Sequence, residues 1–139
     1  MGSATRLAYT AMGDGVNEAA RLEGANKFWK TPILVSGETV AKLAGRIPMR
    51  RVDRIRVSGK TEPTDVYTPC EDAALNARTE AAFDAYLERD WERADHLYAE
   101  MLLDNEKDGV AMRLRERIAL WRREPAEASP DGSLALDKL

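Results

Sequence analysis

The chain has 139 residues and a formal net charge of −3, and charged residues of both signs make up 32% of it. This length is typical of one small domain, or of one domain with an appendage. Mixed charges with a net acidity are typical of a solvated surface and argue against general binding to the phosphate backbone of nucleic acids.

Metal-binding and membrane-targeting signals are sparse. Cys70 is the only cysteine and His96 the only histidine, so the sequence predicts neither an internal disulfide nor a zinc cluster. No apolar run approaches the ~20 residues that a bilayer-spanning helix needs, and no apolar stretch of a signal peptide follows residues 1–6. We therefore expect a cytoplasmic chain without membrane contact, on the cytosolic side if its parent is membrane-anchored.

The first seventy residues predict alternating strands and helices. Asp14, between two glycines, is a plausible N-cap for the first helix. The expected strands are residues 6–12, 31–36, 49–57 and 64–68, and the expected helices are residues 14–26 and 37–44. The third strand carries four arginines, for which we expect a solvated strand face in preference to a nucleic-acid site: Arg50, Arg51, Arg54 and Arg56.

The second part of the chain has helical periodicity. It predicts helices over residues 72–88, 91–103 and 108–123, and the first two resemble the αα-hairpin of a tetratricopeptide repeat. One such hairpin cannot bury its apolar face alone, so we expect it to dock on the first part or on a neighbouring chain in a dimer. Residues 124–139 contain two prolines and a glycine, which predicts an irregular tail.

Residues 9–24 read YTAMGDGVNEAARLEG. This stretch resembles the signature G-D-x-V-N-x-A-x-R-L-E of class III adenylate and guanylate cyclases, in the second half of their catalytic domain. Residues 31–36, TPILVS, resemble the family's next strand, and residues 57–63, VSGKTEP, resemble its closing V-K-G-K-x-E-P hairpin. The helical part, with its Arg89-Asp90-Trp91 turn and late Asp131-Gly132, is similar to the C-terminal extension of bacterial sensor-linked cyclases.

The resemblance implies an α+β fold. A partial ferredoxin-like cyclase half-domain (strand-helix-strand-helix-hairpin) would span residues 1–70, and a TPR-like helical extension would span residues 71–123. The irregular tail would follow over residues 124–139. The implied function is that of an adenylate cyclase fragment, which converts ATP into 3′,5′-cyclic AMP and pyrophosphate.

Asn17 and Arg21 are four residues apart, so a helix places them on one face. The resemblance implies that Arg21 stabilises the transition state at the α-phosphate and that Asn17 orients the ribose. Arginine suits this task because its guanidinium makes bidentate contacts to phosphate oxygens, on which charge develops. From the spacing alone, an exposed helical pair without a ligand is the alternative interpretation.

The resemblance assigns Thr10 and Ala11 to substrate binding. A threonine hydroxyl can accept from an adenine amino group, which favours ATP over GTP, although a threonine is also an ordinary strand residue. Where the family often has a phosphate-holding lysine, this chain has Ser58. The flanking Arg56 and Lys60 are therefore the candidates for the terminal phosphates.

No metal ligand is assigned in this chain. In the family, the aspartates that bind Mg²⁺ or Mn²⁺ lie in the first half of the domain, and the site forms at a two-fold interface. We therefore expect a homodimer or a complementing cyclase half as partner, and no activity from this chain alone. Two other classes compete: a non-catalytic interaction or regulatory module derived from a cyclase, and a TPR-type adaptor, for which one hairpin is too few repeats.

Overall fold

The computed structural model describes residues 25–57 and 61–136. A four-stranded sheet has the order β1-β3-β2-β4, in which β1 and β2 run antiparallel to β3, and β4 runs parallel to β2. The strands are β1 (Val35–Ser36), β2 (Met49–Arg56), β3 (Thr64–Pro69) and β4 (Leu134–Ala135). The α+β class is thereby confirmed.

The described helices follow the predicted segments closely. Residues 25–29 are helical, and a 3₁₀ turn covers Pro125–Glu127. The longer helices are α1 (Gly37–Leu43), α2 (Ala73–Leu87), α3 (Trp91–Asp104) and α4 (Gly109–Arg123). The cyclase half-domain, the TPR-like character of the α2–α3 hairpin and the domain boundaries remain predictions. The expected strand 6–12, the start of the helix 14–26 and the turn 58–60 lie outside the described residues.

Aspartates begin each of the three long helices. The side chains of Asp72, Asp90 and Asp108 accept hydrogen bonds from the backbone N–H three residues further on, which satisfies one of the unpaired donors at each helix start. Between α2 and α3, Arg89 has a φ of 63°, and this left-handed residue lets the chain reverse within the three residues that separate the two helices. Local chemistry therefore explains why α2 and α3 form a hairpin.

The helices pack on the sheet within the same chain. Helix α2 lies against β2, and one large core joins strand residues such as Val52 and Ile55 to the helical aromatics Phe83 and Tyr98. The apolar faces of the helices are thus buried against the sheet. The sequence left two arrangements open, docking within the chain and exchange with a neighbouring chain in a dimer. The structure has the first.

The solvated face expected for the β2 arginines is wrong for Arg50 and Arg51, which are only 7% and 8% exposed. The pairing of β2 with β3 shifts between Arg51 and Asp53, so Val52 is an extra residue in β2 and strict alternation is lost. Four consecutive residues, from 50 to 53, are consequently buried. Carboxylates from elsewhere in the chain balance the buried guanidinium groups.

Residues 124–139, for which an irregular tail is expected, include a short strand, β4. β4 pairs with β2 through Ile55 opposite Leu134. The approach to β4 is fixed by Gly132, which has a φ of 81° and whose carbonyl accepts a 2.6 Å hydrogen bond from the Tyr86 hydroxyl. Gly132 therefore lies in a defined turn, which leads the chain back to the sheet.

Candidate functional site

Of the predicted site residues, Arg56 is the one that the described part of the chain contains. Thr10, Ala11, Asn17, Arg21 and Lys60 lie outside it. Arg56 ends β2, directly before the segment that carries Lys60. The part of the candidate site whose geometry the structure describes is therefore Arg56 and the residues around it.

Arg56 is bound on two sides. One terminal nitrogen donates a 3.0 Å hydrogen bond to the carbonyl of Thr61, across the hairpin. The other donates to the carboxylate of Asp131, with which it forms an ion pair. The side chain remains 42% exposed. The guanidinium thus connects the hairpin to the turn before β4 while one of its sides faces solvent.

Asp131 is itself fixed by its neighbours. Its Oδ1 accepts hydrogen bonds from the Ser133 hydroxyl at 2.6 Å and from the Ser133 N–H at 3.0 Å, and its carbonyl accepts from Arg54 at 3.0 Å. Burial acts to raise the pKa of Asp131, but the bonds from Ser133 and the charge of Arg56 hold it below its ordinary value. Asp131 is therefore a charged partner for Arg56 near neutral pH.

A cleft of about 410 Å³ lies beside Arg56, between α4, the tail and residue 28. The guanidinium of Arg113 stacks on the Phe28 ring at 4.4 Å and donates to the Phe28 carbonyl at 2.9 Å. Trp121 and Leu134 contribute apolar surface to the wall of the cleft. The cleft therefore combines aromatic surface with partly exposed guanidinium groups.

A buried ion pair lies below this surface. Asp53, 0% exposed, receives two hydrogen bonds from Arg117, at 2.8 and 2.7 Å, and one from the Trp29 indole at 3.1 Å. Burial acts to lower the pKa of Arg117, but the charge and hydrogen bonds of Asp53 raise it above its ordinary value. Arg117 is therefore charged, and the pair joins the middle of β2 to α4.

Tyr86 extends this pair toward the tail. Its hydroxyl accepts from Arg117 at 3.2 Å and donates to the carbonyl of Gly132. Burial, opposed by Arg117, raises the pKa of Tyr86 to about 12. The hydroxyl is thus protonated and able to donate, which links the buried pair to the turn that presents Asp131.

A second buried pair joins the start of β2 to the start of α4. Arg50 donates to both carboxylate oxygens of Asp108, at 3.0 and 2.7 Å, and to Thr79 at 2.9 Å. The same carboxylate caps α4 through the N–H of Ala111. Two bidentate pairs therefore connect β2 to α4, and sequence reasoning found neither of them. The local signal was an aspartate, Asp53, set among the arginines of β2.

Within residues 25–57 and 61–136, no group of three or more His, Cys, Asp or Glu side chains is arranged to hold a metal ion. The carboxylates of Asp53, Asp108 and Asp131 are each engaged by an arginine. No helix in this part of the chain has both the length and the apolar character needed to cross a bilayer.

Comparison with known proteins gives one informative similarity. The chain is 42% identical over 67 residues to Adenylate cyclase 1 of Rhizobium meliloti (strain 1021), which covers 48% of this chain and 10% of that protein. No family model matches the chain, and no solved structure matches it. The chain thus spans about a tenth of the length of the curated relative that it matches, and the similarity indicates a cyclase-related region.

Proposed function

We propose that this chain carries the substrate- and transition-state-binding half of an adenylate cyclase, which converts ATP into 3′,5′-cyclic AMP and pyrophosphate. The observation that carries the proposal is the ordered run GDGVNEAARLE over residues 13–23. The 42% identity to a protein named as an adenylate cyclase supports it.

In this reaction the ribose 3′-hydroxyl attacks the α-phosphate and pyrophosphate leaves. Negative charge develops on the phosphoryl oxygens, so a positioned cation accelerates the step. We assign this role to Arg21 and the orientation of the ribose to Asn17. Thr10, with Ala11 beside it, would contact the purine and favour ATP over GTP, and Lys60 and Arg56 would contact the terminal phosphates.

Metal ions and the partner subunit complete the proposal. Mg²⁺ or Mn²⁺ would stabilise charge on the phosphates of the complete enzyme. The described carboxylates do not fit this task, because no three of them are grouped to hold a metal ion, and Asp53, Asp108 and Asp131 are each paired with an arginine. The ligands would therefore come from a complementing cyclase half, or from the corresponding half of the second subunit in a homodimer of the complete enzyme.

The test is complementation. The 139-residue chain is mixed with a class III cyclase subunit whose own transition-state arginine and ribose-orienting asparagine are replaced by alanine. Complex formation is followed by light scattering, and cyclic AMP by mass spectrometry with Mg²⁺ or Mn²⁺. We expect the wild-type chain to restore turnover, and Arg21→Ala to lower kcat by about two to three orders of magnitude with a smaller change in KM.

Arg123→Ala is the matched control, because this arginine is exposed at the end of α4, and we expect it to leave turnover unchanged. A complex that forms without cyclic AMP production would refute the catalytic proposal and favour the non-catalytic module. GTP turned over faster than ATP would refute the role of Thr10.

A further inference from the structure

A second cleft, of about 430 Å³, lies at the start of β2, whereas Arg56 ends that strand. Its walls come from residues 29–32, the paired strands β2 and β3, the start of α2 and the segment between the end of α3 and the start of α4. The proposed cyclase function gives this cleft no role. We propose that it binds a small organic phosphate.

Part of the cleft wall is a cross-strand pair with unused hydrogen-bonding capacity. Arg50 on β2 lies opposite Thr68 on β3, so both side chains project from the same face of the sheet, and both line the cleft. Thr68 is 5% exposed, and its Oγ1 has no hydrogen-bond partner among the described residues. A buried hydroxyl without a partner is costly, so an oxygen acceptor bound in the cleft would satisfy it.

Arg50 also has unused hydrogen-bond donors. A guanidinium carries five N–H donors. Those of Arg50 reach both carboxylate oxygens of Asp108, the Thr79 hydroxyl and, at 3.3 Å, the sulfur of Met101. A thioether is a weak acceptor, and the fifth N–H has no acceptor among the described residues. Arg50 can therefore donate to an oxygen in the cleft while it keeps its pair with Asp108.

The starts of two long helices meet at the same cleft. Leu75, near the start of α2, and Gly109 and Val110, at the start of α4, are among its lining residues. The first N–H groups of a helix have no partner within it and carry partial positive charge, which favours a bound anion. In α4 the capping aspartate takes the N–H of Ala111, which leaves the N–H groups of Gly109 and Val110 for another acceptor.

The side-chain charges of the lining also favour an anion. Four cationic side chains line the cleft against three carboxylates. Each carboxylate is already engaged: two are paired with the arginines Arg50 and Arg78, and Asp72 caps α2. The other two cations, Lys30 and Lys107, are exposed and come from two different segments of the wall. The groups still available to a ligand are therefore donors and cations.

A phosphate monoester matches this set of groups. A phosphoryl group offers three terminal acceptor oxygens and a charge of about −2 at neutral pH. Its tetrahedral shape lets it meet donors from several directions, whereas a planar carboxylate meets fewer of them. Trp29, Leu75 and Val110 offer apolar contact to an organic body, and the volume of the cleft is in the range of small-molecule sites.

The probe is phenyl phosphate, because it combines a phosphoryl group with a small apolar body. It is titrated into the ¹⁵N-labelled 139-residue chain, and ¹H–¹⁵N spectra follow the amide signals of Gly109 and Val110. We expect these signals to move and to saturate at millimolar phenyl phosphate, while the amide signal of His96, outside the cleft, stays in place. Phenol, which is neutral, and benzoate, which is planar and singly charged, should bind several-fold more weakly.

Thr68→Val is the decisive variant, because valine keeps the shape of threonine and removes only the hydroxyl. It should fold as the wild type does, since this hydroxyl has no hydrogen bond to lose. We expect it to weaken the binding of phenyl phosphate about tenfold, the effect of losing a hydrogen bond to a charged group. Thr64→Val, on the same strand but outside the cleft, is the matched control and should bind as the wild type does.

Lys107→Gln should weaken binding about two- to fivefold, and Lys42→Gln, exposed on α1, should leave it unchanged. Unmoved Gly109 and Val110 signals at millimolar phenyl phosphate would overturn the proposal, as would equal affinities of Thr68→Val and the wild type. Benzoate bound as tightly as phenyl phosphate would exclude phosphate as the ligand class. These readouts do not depend on ATP turnover, so the outcome is independent of the cyclase proposal.

Discussion

Replacing Arg117 by methionine should destabilise the fold strongly. Asp53 is 0% exposed, and Arg117, whose side chain is 6% exposed, is its charged partner at 2.7 Å. After the replacement, the carboxylate would keep only neutral donors, the Trp29 indole and the Arg54 N–H. Removing one partner of a buried pair costs about 3–5 kcal/mol, because the other charge stays buried and uncompensated.

Thermal and urea unfolding, followed by circular dichroism, measure this cost. The expected loss corresponds to a fall in Tm of about 10–20 °C for a domain of this size. Arg115→Met, two residues earlier on the same helix, removes the more exposed pair with Asp95 and should cost at most about 1 kcal/mol. The double variant Asp53→Asn/Arg117→Met should recover part of the loss, because the buried charge is gone. Equal small losses for Arg117→Met and Arg115→Met would refute the reasoning.

Two further predictions concern packing and alkaline stability. Gly109→Ala should destabilise by about 1–3 kcal/mol, because the new Cβ collides with the Trp29 carbonyl, whereas Gly37→Ala, also at a first helical position, meets nothing closer than 3.7 Å and should be neutral or slightly stabilising in urea titrations. The raised pKa of Tyr86, about 12, means that the folded state keeps a proton that the unfolded state loses above pH ~10. The protonated Tyr86 hydroxyl therefore contributes fully to stability below pH ~10. Above this pH, the free energy of unfolding should fall by about 1.4 kcal/mol per pH unit for this group until the folded-state pKa is reached. Absorbance at 295 nm that titrates near pH 10 for all tyrosines would contradict this.

Elements with local signals were predictable from the sequence. The helices α2, α3 and α4 begin at capping aspartates and continue with apolar residues at helical spacing, and both kinds of signal act within one or two turns. β3 alternates between buried and partly buried residues from Val66 onward, and a turn-forming segment separates it from β2. These elements needed no knowledge of the rest of the chain.

The burial of β2's arginines was not predictable in this way. The partners of Arg50 and Arg51, Asp108 and Glu80, are 58 and 29 residues away in sequence, and nothing in a local pattern selects one carboxylate among many. β4 is two residues long and is recognisable as a strand only through its pairing with β2 at Ile55. For the candidate site, the motif over residues 13–23 indicated which residues to consider. The partners of Arg56, Thr61 and Asp131, could be identified only from the structure.

The parallel pairing of β2 with β4 has a consequence for biosynthesis. Ile55 meets Leu134, so one edge of β2 stays unpaired until residue 134 has left the ribosome. At roughly 5–20 residues per second, this edge is open for several seconds, and unpaired strand edges recruit other chains. During the same interval Asp53 lacks its ion-pair partner, Arg117. Nascent chains stalled between these residues should therefore be the ones that aggregate or engage chaperones.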